Sequence, residues 1–201
     1  MRELPQLKRK VANEKLDVLR NPDCSMCSLH QSSENVCIRG NGDPTSSLVL
    51  YGEAPGKREA ETGQPFRGAS GRLLDEALRR LGISRRKVFV SNVVRCRPPE
   101  NRKPSKRELE ICSSLFLREE LMILHSSVAI ALGKTATEIL LPWHEKPIRG
   151  KVYREGTACL GVTVIPTYHP AFILRCGGLD NELGGYFMYH LKKGIETCGS
   201  I

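Results

Sequence analysis

The chain has 201 residues, with 31 lysines and arginines against 22 acidic residues, a formal net charge of +9. That length fits one α/β domain with a single good core, and the charge favours a polyanionic partner, nucleic acid first. No apolar run approaches the ~20 residues of a bilayer span, and the charged N-terminus lacks a signal-peptide core, so a cytoplasmic protein with no membrane partner is expected.

Residues 2–19 carry Leu4, Leu7, Val11 and Val18 at helical spacing, which predicts an amphipathic helix packed through those residues. Asn21-Pro22-Asp23 ends it and delivers Cys24 and Cys27 on a loop. Eight cysteines in a chain of this kind do not form a disulfide framework, and this one Cys-x-x-Cys pair reads as metal binding or redox chemistry. After a polar connector comes Leu48-Val49-Leu50-Tyr51, the continuous apolar run of a buried parallel strand. It leaves the strand through Gly52-Glu53-Ala54-Pro55-Gly56, whose glycines leave bare N–H groups open to a ligand. Taken alone, such a turn is often only a turn. A second turn, Gly63-Gln64-Pro65-Phe66, then returns an aromatic ring.

Leu73, Leu74, Ala77, Leu78 and Leu81 share one face of a helix over 68–81, stopped by Gly82. The Gly68-Ala69-Ser70-Gly71 approach offers free amides to an anion. Residues 88–94 form the second buried strand, whose only amide side chain is Asn92. Arg95-Cys96-Arg97-Pro98-Pro99 breaks that strand, and 101–107 is strongly basic. Ser105 and Glu108 form a capping box for a helix running to about Leu124, with Cys112 in its second turn. A third strand over 128–132 is closed by Gly133 and followed by a short helix over 135–141. Residues 149–154 read as an edge strand or hairpin arm. A last strand over 162–167 ends in Tyr168-His169-Pro170-Ala171-Phe172, and an amphipathic helix over 186–196 covers the sheet.

This alternation predicts an α/β fold, a three-layer α/β/α sandwich around a central four-stranded parallel sheet, in a single domain spanning 1–201. Glu53, Asn92, Gly133 and His169 each follow a predicted strand end, so a parallel sheet gathers them along one rim, where such sheets bind ligands. A carboxylate, an amide, an imidazole and the ring of Phe66 make a polar pocket for a flat, hydrogen-bonding ring. Cys96 and Cys112 are separated by fifteen residues, and Cys24 and Cys27 join them only through the tertiary fold. Four thiolates suit either zinc or an iron–sulfur cluster, and the spacing does not decide.

Gly52-Glu53-Ala54-Pro55-Gly56, followed by Gly63-Gln64-Pro65-Phe66-Arg67-Gly68, resembles the first motif of the iron–sulfur (type 4) uracil-DNA glycosylases. The likeness extends through Asn92-Val93-Val94-Arg95-Cys96-Arg97-Pro98-Pro99, Asn101-Arg102 and His169-Pro170-Ala171, roughly three-quarters of the chain. One departure is Glu59-Ala60, where that family typically has Glu-Asp. The resemblance implies hydrolysis of the N-glycosidic bond of uracil in single- or double-stranded DNA, leaving an abasic site, by a monomer. It implies a [4Fe-4S] cluster on Cys24, Cys27, Cys96 and Cys112, a structural one. Ala54, Phe66, Asn92 and His169 would bind uracil, and Glu53, Glu59, Asn101 and His169 would serve catalysis. The DNA backbone would fall to Arg95, Arg97, Arg102, Lys103, Lys106 and Arg107 in the basic segment, with Arg175 after the histidine motif. Two rival classes remain: a non-catalytic nucleic-acid-binding module with a four-cysteine zinc site, and a thiol oxidoreductase built on Cys24 and Cys27.

Overall fold

The computed structural model describes residues 3–155, 157–158 and 161–199. In chain order the elements are α1 (Glu3–Leu19), α2 (Leu29–Ser32), β1 (Asn41–Gly42), β2 (Leu48–Gly52), α3 (Lys57–Thr62), α4 (Ala69–Arg80) and β3 (Phe89–Asn92). There follow α5 (Lys106–Cys112), α6 (Arg118–Leu124), β4 (Val128–Leu132), α7 (Lys134–Leu140), β5 (Thr163–Thr167), α8 (Pro170–Arg175) and α9 (Glu182–Thr197). The sheet has five strands in the order β1-β3-β2-β4-β5. The four expected strands pair in parallel, with Gly52 opposite Asn92 and Leu132 opposite Thr167 at their carboxyl ends. The fifth is an addition: β1 lies antiparallel on the edge, Asn41 opposite Val90 and Gly42 opposite Phe89. Two residues inside a polar connector carry too little alternation to announce a strand.

Alternation along the strands divides the core. Leu48, Leu50, Val90, Ile130 and Ile165 face α4 and α9, where Leu74, Leu78, Phe187 and Leu191 close one layer. Val49, Tyr51, Phe89, Ala129 and Val164 point the other way, onto Leu16, Phe116, Leu121 and Leu140. Strand residues point alternately to opposite faces, so these runs are apolar throughout because both faces are covered. Among the described residues no helix is long and apolar enough to cross a membrane.

Three local expectations are corrected. Leu4, Leu7, Val11 and Val18 of α1 are exposed, and the helix packs instead through Ala12 and Leu16. The burying stripe is Ala12-Leu16-Leu19; small Ala12 allows close approach, and burying Leu16 contributes about 2 kcal/mol. The helix expected to run unbroken to Leu124 is interrupted after Cys112 by one π-helical turn, Ser113–Leu117. Its start is as expected, with Ser105 and Glu108 in a capping box. The edge strand or hairpin arm expected over 149–154 reduces to one bridge, Tyr153 to Val164.

Candidate active site

The parallel strands end at a cavity of ≈ 490 Å³ whose lining includes Glu53, Ala54, Glu59, Phe66, Asn92, Asn101, Gly133, Thr135, His169 and Arg175. The sheet register explains this grouping. Glu53 and Asn92 leave neighbouring strands paired at Gly52 and Asn92, and His169 leaves β5 beside Gly133 at the end of β4. Gly133, at φ +91°, keeps its backbone against the imidazole; a β-carbon there would stand 2.9 Å from His169 Cβ.

Glu53 accepts a hydrogen bond from the Thr135 hydroxyl through Oε2, and among the described residues Oε1 has no protein donor. Thr135 is a site residue that the sequence reading missed. Its signal was position alone, just after Gly133 at the start of α7. The Glu59 carboxylate is differently employed. It accepts from the backbone N–H groups of Gly56 (3.1 Å), Arg67 (2.8 Å) and Gly68 (2.7 Å), joining the first glycine turn to the second. Phe66 is held between them at φ +55°, a left-handed conformation costing a non-glycine residue about 1 kcal/mol.

Asn92 is buried, and among the described residues its amide has no hydrogen-bond partner. Its donor and acceptor are therefore both available to a ligand, in surroundings where leaving them unpaired costs ~1–3 kcal/mol each. His169 caps α8, and its Nδ1 accepts from the Ala171 N–H at 3.1 Å. That bond fixes the neutral tautomer: the proton sits on Nε2. Burial, reinforced by the nearby Arg175 cation and opposed by Glu59, pushes the imidazole down to about 4. Its ring lies 6.3 Å from that of Phe66, with 28° between the planes. Asn101 lies at the mouth with φ +56°, and its Oδ1 accepts from Arg97 Nε at 2.9 Å.

The basic segment divides. Arg107 and Arg175 are exposed, and Lys106 is exposed beside Glu110 at 3.7 Å. Arg102 forms a two-pronged bond to Glu108, at 2.8 and 2.7 Å, which holds that carboxyl down at about 2. Lys103 stands 3.9 Å from Glu138. Arg95 corrects its expected assignment. It is 2% exposed and paired with Glu120 at 2.7 Å, so its guanidinium does not reach a phosphate at the surface.

A second, narrow cavity behind the rim is lined by Cys24, Cys27, Cys96 and Cys112, with Cys37 among them. The fold thus gathers the four predicted cysteines from three separate segments. Cys96 Sγ accepts from the Cys37 N–H and Cys112 Sγ from the Arg95 N–H, each at 3.3 Å. Burial pushes the Cys96 thiol up to about 11 and the Cys112 thiol up to about 12. These sulfurs therefore become thiolates only against a compensating cation. Among the described residues, no three His, Cys, Asp or Glu side chains are grouped closely enough to hold a single metal ion. Cys159 lies outside the described residues.

The α/β/α sandwich with this strand-end pocket is the architecture of one class of base-excising proteins, the uracil DNA glycosylase superfamily, whose match spans residues 39–183. The chain is 42% identical over 166 residues to the type-4 uracil-DNA glycosylase of Pyrobaculum aerophilum, covering 80% of this chain and 84% of that protein. It is 39% identical over 171 residues to the Thermotoga maritima type-4 enzyme, with 85% and 86% covered. Against that of Archaeoglobus fulgidus the identity is 35% over 190 residues, with 91% and 92% covered. The chain belongs to this superfamily, in its type-4 branch.

Proposed function

We propose that the protein excises uracil from DNA by hydrolysing the N1–C1′ bond, acting as a monomer through one domain. The carrying observation is the convergence of an unpartnered buried amide, a neutral imidazole donor, an aromatic ring and a carboxylate in one pocket. Bases are read there only after leaving the stack, through their Watson–Crick edge and by stacking. Phe66 stacks on the flipped ring. Asn92 Oδ1 accepts from uracil N3–H and Nδ2 donates to O4. Cytosine has the opposite polarity at both positions, so it leaves two polar pairs mismatched.

Bond cleavage places negative charge on the departing base and positive charge on the sugar. His169, neutral with its proton on Nε2, donates to O2 and stabilises the leaving anion as an oxyanion-hole donor does. Glu53 faces the sugar: Thr135 orients one carboxylate oxygen, and the other accepts the proton of the attacking water. The hydroxyl joins C1′, and uracil leaves with the bonding pair and takes up a proton afterwards. Glu59, its oxygens engaged by three backbone N–H groups, serves by holding Phe66 in place. Asn101, steadied by Arg97, stands where the sugar–phosphate enters. Arg107, Arg97 and Arg175 offer the backbone its cations, with Lys106, Arg102 and Lys103 shared with acids.

The cysteine cavity is read as the seat of a [4Fe-4S] cluster held by Cys24, Cys27, Cys96 and Cys112. The donor set suits such a group: four sulfurs line one narrow cavity, and two of them already accept backbone N–H bonds. Such a cluster would supply cohesion, tying the Cys24 loop to the end of α5; the hydrolysis needs no electron from it. A non-catalytic module with a zinc site, or a thiol oxidoreductase, would leave the Asn92–His169–Glu53 pocket without a purpose. The test is incubation with an oligonucleotide carrying one uracil, followed by hot alkali, which cuts only at abasic sites. Cleavage at uracil, with thymine and cytosine controls intact, is expected. An uncut uracil strand, in the presence of measurable DNA binding, would leave the binding module as the better reading.

A further inference from the structure

Arg95 lines the cysteine cavity. Its Nη2 donates to Glu120 Oε1 at 2.7 Å, and the Tyr51 hydroxyl donates to Glu120 Oε2 at 2.8 Å. All three residues are buried, at 2%, 0% and 0% exposure for Arg95, Glu120 and Tyr51. The guanidinium carbon lies 4.5 Å from the centre of the Phe116 ring. Arg95 and Phe116 line the cysteine cavity, and the Arg95 N–H reaches Cys112 Sγ. One atom is left over: Nη1 is buried, and among the described residues it has no hydrogen-bond partner.

A buried Arg–Glu pair adds little to stability unless its remaining donors are met, because desolvation offsets the attraction. Apolar residues of the same bulk would pack at least as well. The orphaned Nη1, on a side chain that lines the cysteine cavity, points to one explanation. We propose that Arg95, fixed by Glu120 and Tyr51, is the counter-charge of the cysteine-ligated group, with Nη1 left free to donate to it. This rests on the iron–sulfur reading above. Four thiolates around an iron–sulfur core carry net negative charge, and adding an electron increases it. A fixed cation nearby favours the reduced form and resists loss of the group; Glu120 acts on it with the opposite sign. Arg95 is a positioning residue here: it touches neither the base nor the reacting bond. Tyr51 lies two residues before Glu53 on β2, so the same network braces the strand that carries the catalytic carboxylate.

The experiment compares iron content, the rate of iron loss to a ferrous chelator, and the midpoint potential in wild type, Arg95→Gln, Arg95→Lys and Glu120→Gln. Arg95→Gln is expected to lose iron about tenfold faster or more and to shift the potential negative. Glu120→Gln should shift it positive, and Arg95→Lys should stay nearer wild type because it keeps the charge. Shifts of the same sign in Arg95→Gln and Glu120→Gln, or no shift in iron-loaded variants, would overturn the assignment. If Arg95→Gln does not fold, the sign for Glu120→Gln decides. Wild-type protein that binds zinc and no iron would fail the cofactor reading itself, a distinct result.

Discussion

The Phe66 ring and the Asn92 amide meet over Gly52: a β-carbon at that position would stand 2.6 Å from Phe66 Cζ and 2.5 Å from Asn92 Oδ1. The last residue of β2 is thus a glycine because the two groups proposed to read the base share the space above it. Gly52→Ala should displace one or both. We expect a stability loss of about 1–3 kcal/mol from overpacking and a larger proportional loss of uracil excision. Urea unfolding and single-turnover excision on the same preparation check the split; full activity would mean the pocket tolerates either group moving.

Phe66→Leu keeps an apolar residue but removes the stacking face. Base–aromatic stacking is worth about 1–3 kcal/mol, so kcat/KM for uracil should fall roughly 5- to 150-fold, while Phe66→Trp should retain most of it. Steady-state kinetics on a single-stranded substrate give the answer.

His169 bears on pH. Its folded value is pushed down to about 4 by burial, with Arg175 adding to the effect, below the ordinary ~6.5 of an unfolded histidine. The unfolded chain therefore takes up its proton first: stability falls as pH drops from ~6.5 toward ~4 and this contribution levels off below. His169→Asn should flatten that part of the curve, with His190, also pushed down by burial, retaining its own share. Denaturant midpoints across this range, wild type against variant, measure it. His169→Ala, which leaves no side-chain donor at that position, should slow uracil release by about 10²–10³, the cost of one lost oxyanion donor.

Salt dependence locates the DNA path. Each phosphate neutralised contributes about 0.9 to the slope of log K against log salt on duplex DNA. Replacing Arg97, Lys106 and Arg107 with Ala should flatten the slope by about 2–3. Arg95→Lys should not change it, since that side chain is enclosed. Fluorescence anisotropy at several salt concentrations separates the two.

The strand ends were readable because the strands are continuous apolar runs, and chemistry at the end of a parallel strand has one rim to occupy. Glu53, Asn92 and His169 needed no long-range information beyond that. Arg95 was misread for the opposite reason. It follows a strand into a basic loop, and its partner Glu120 lies on a helix whose sequence does not announce a buried acid. Only the fold brings Glu120 under Tyr51. The α1 stripe failed similarly: Leu4, Leu7, Val11 and Val18 fall at helical spacing, but Ala12 and Leu16 face the neighbouring helix. Glu59 carried a family motif in sequence, while its three backbone donors are visible only once both turns are folded.

The central claim is that the Asn92 amide reads uracil. The measurement is single-turnover excision by wild type and Asn92→Asp on matched single-stranded oligonucleotides carrying uracil or cytosine. Aspartate keeps the shape but replaces the donor facing O4 with a repelling oxygen, worth several kcal/mol in a buried site. Uracil excision should fall by about two to four orders of magnitude, and any activity gained should be toward cytosine. Uracil release by Asn92→Asp at the wild-type rate would contradict the account and leave Asn92 a structural residue.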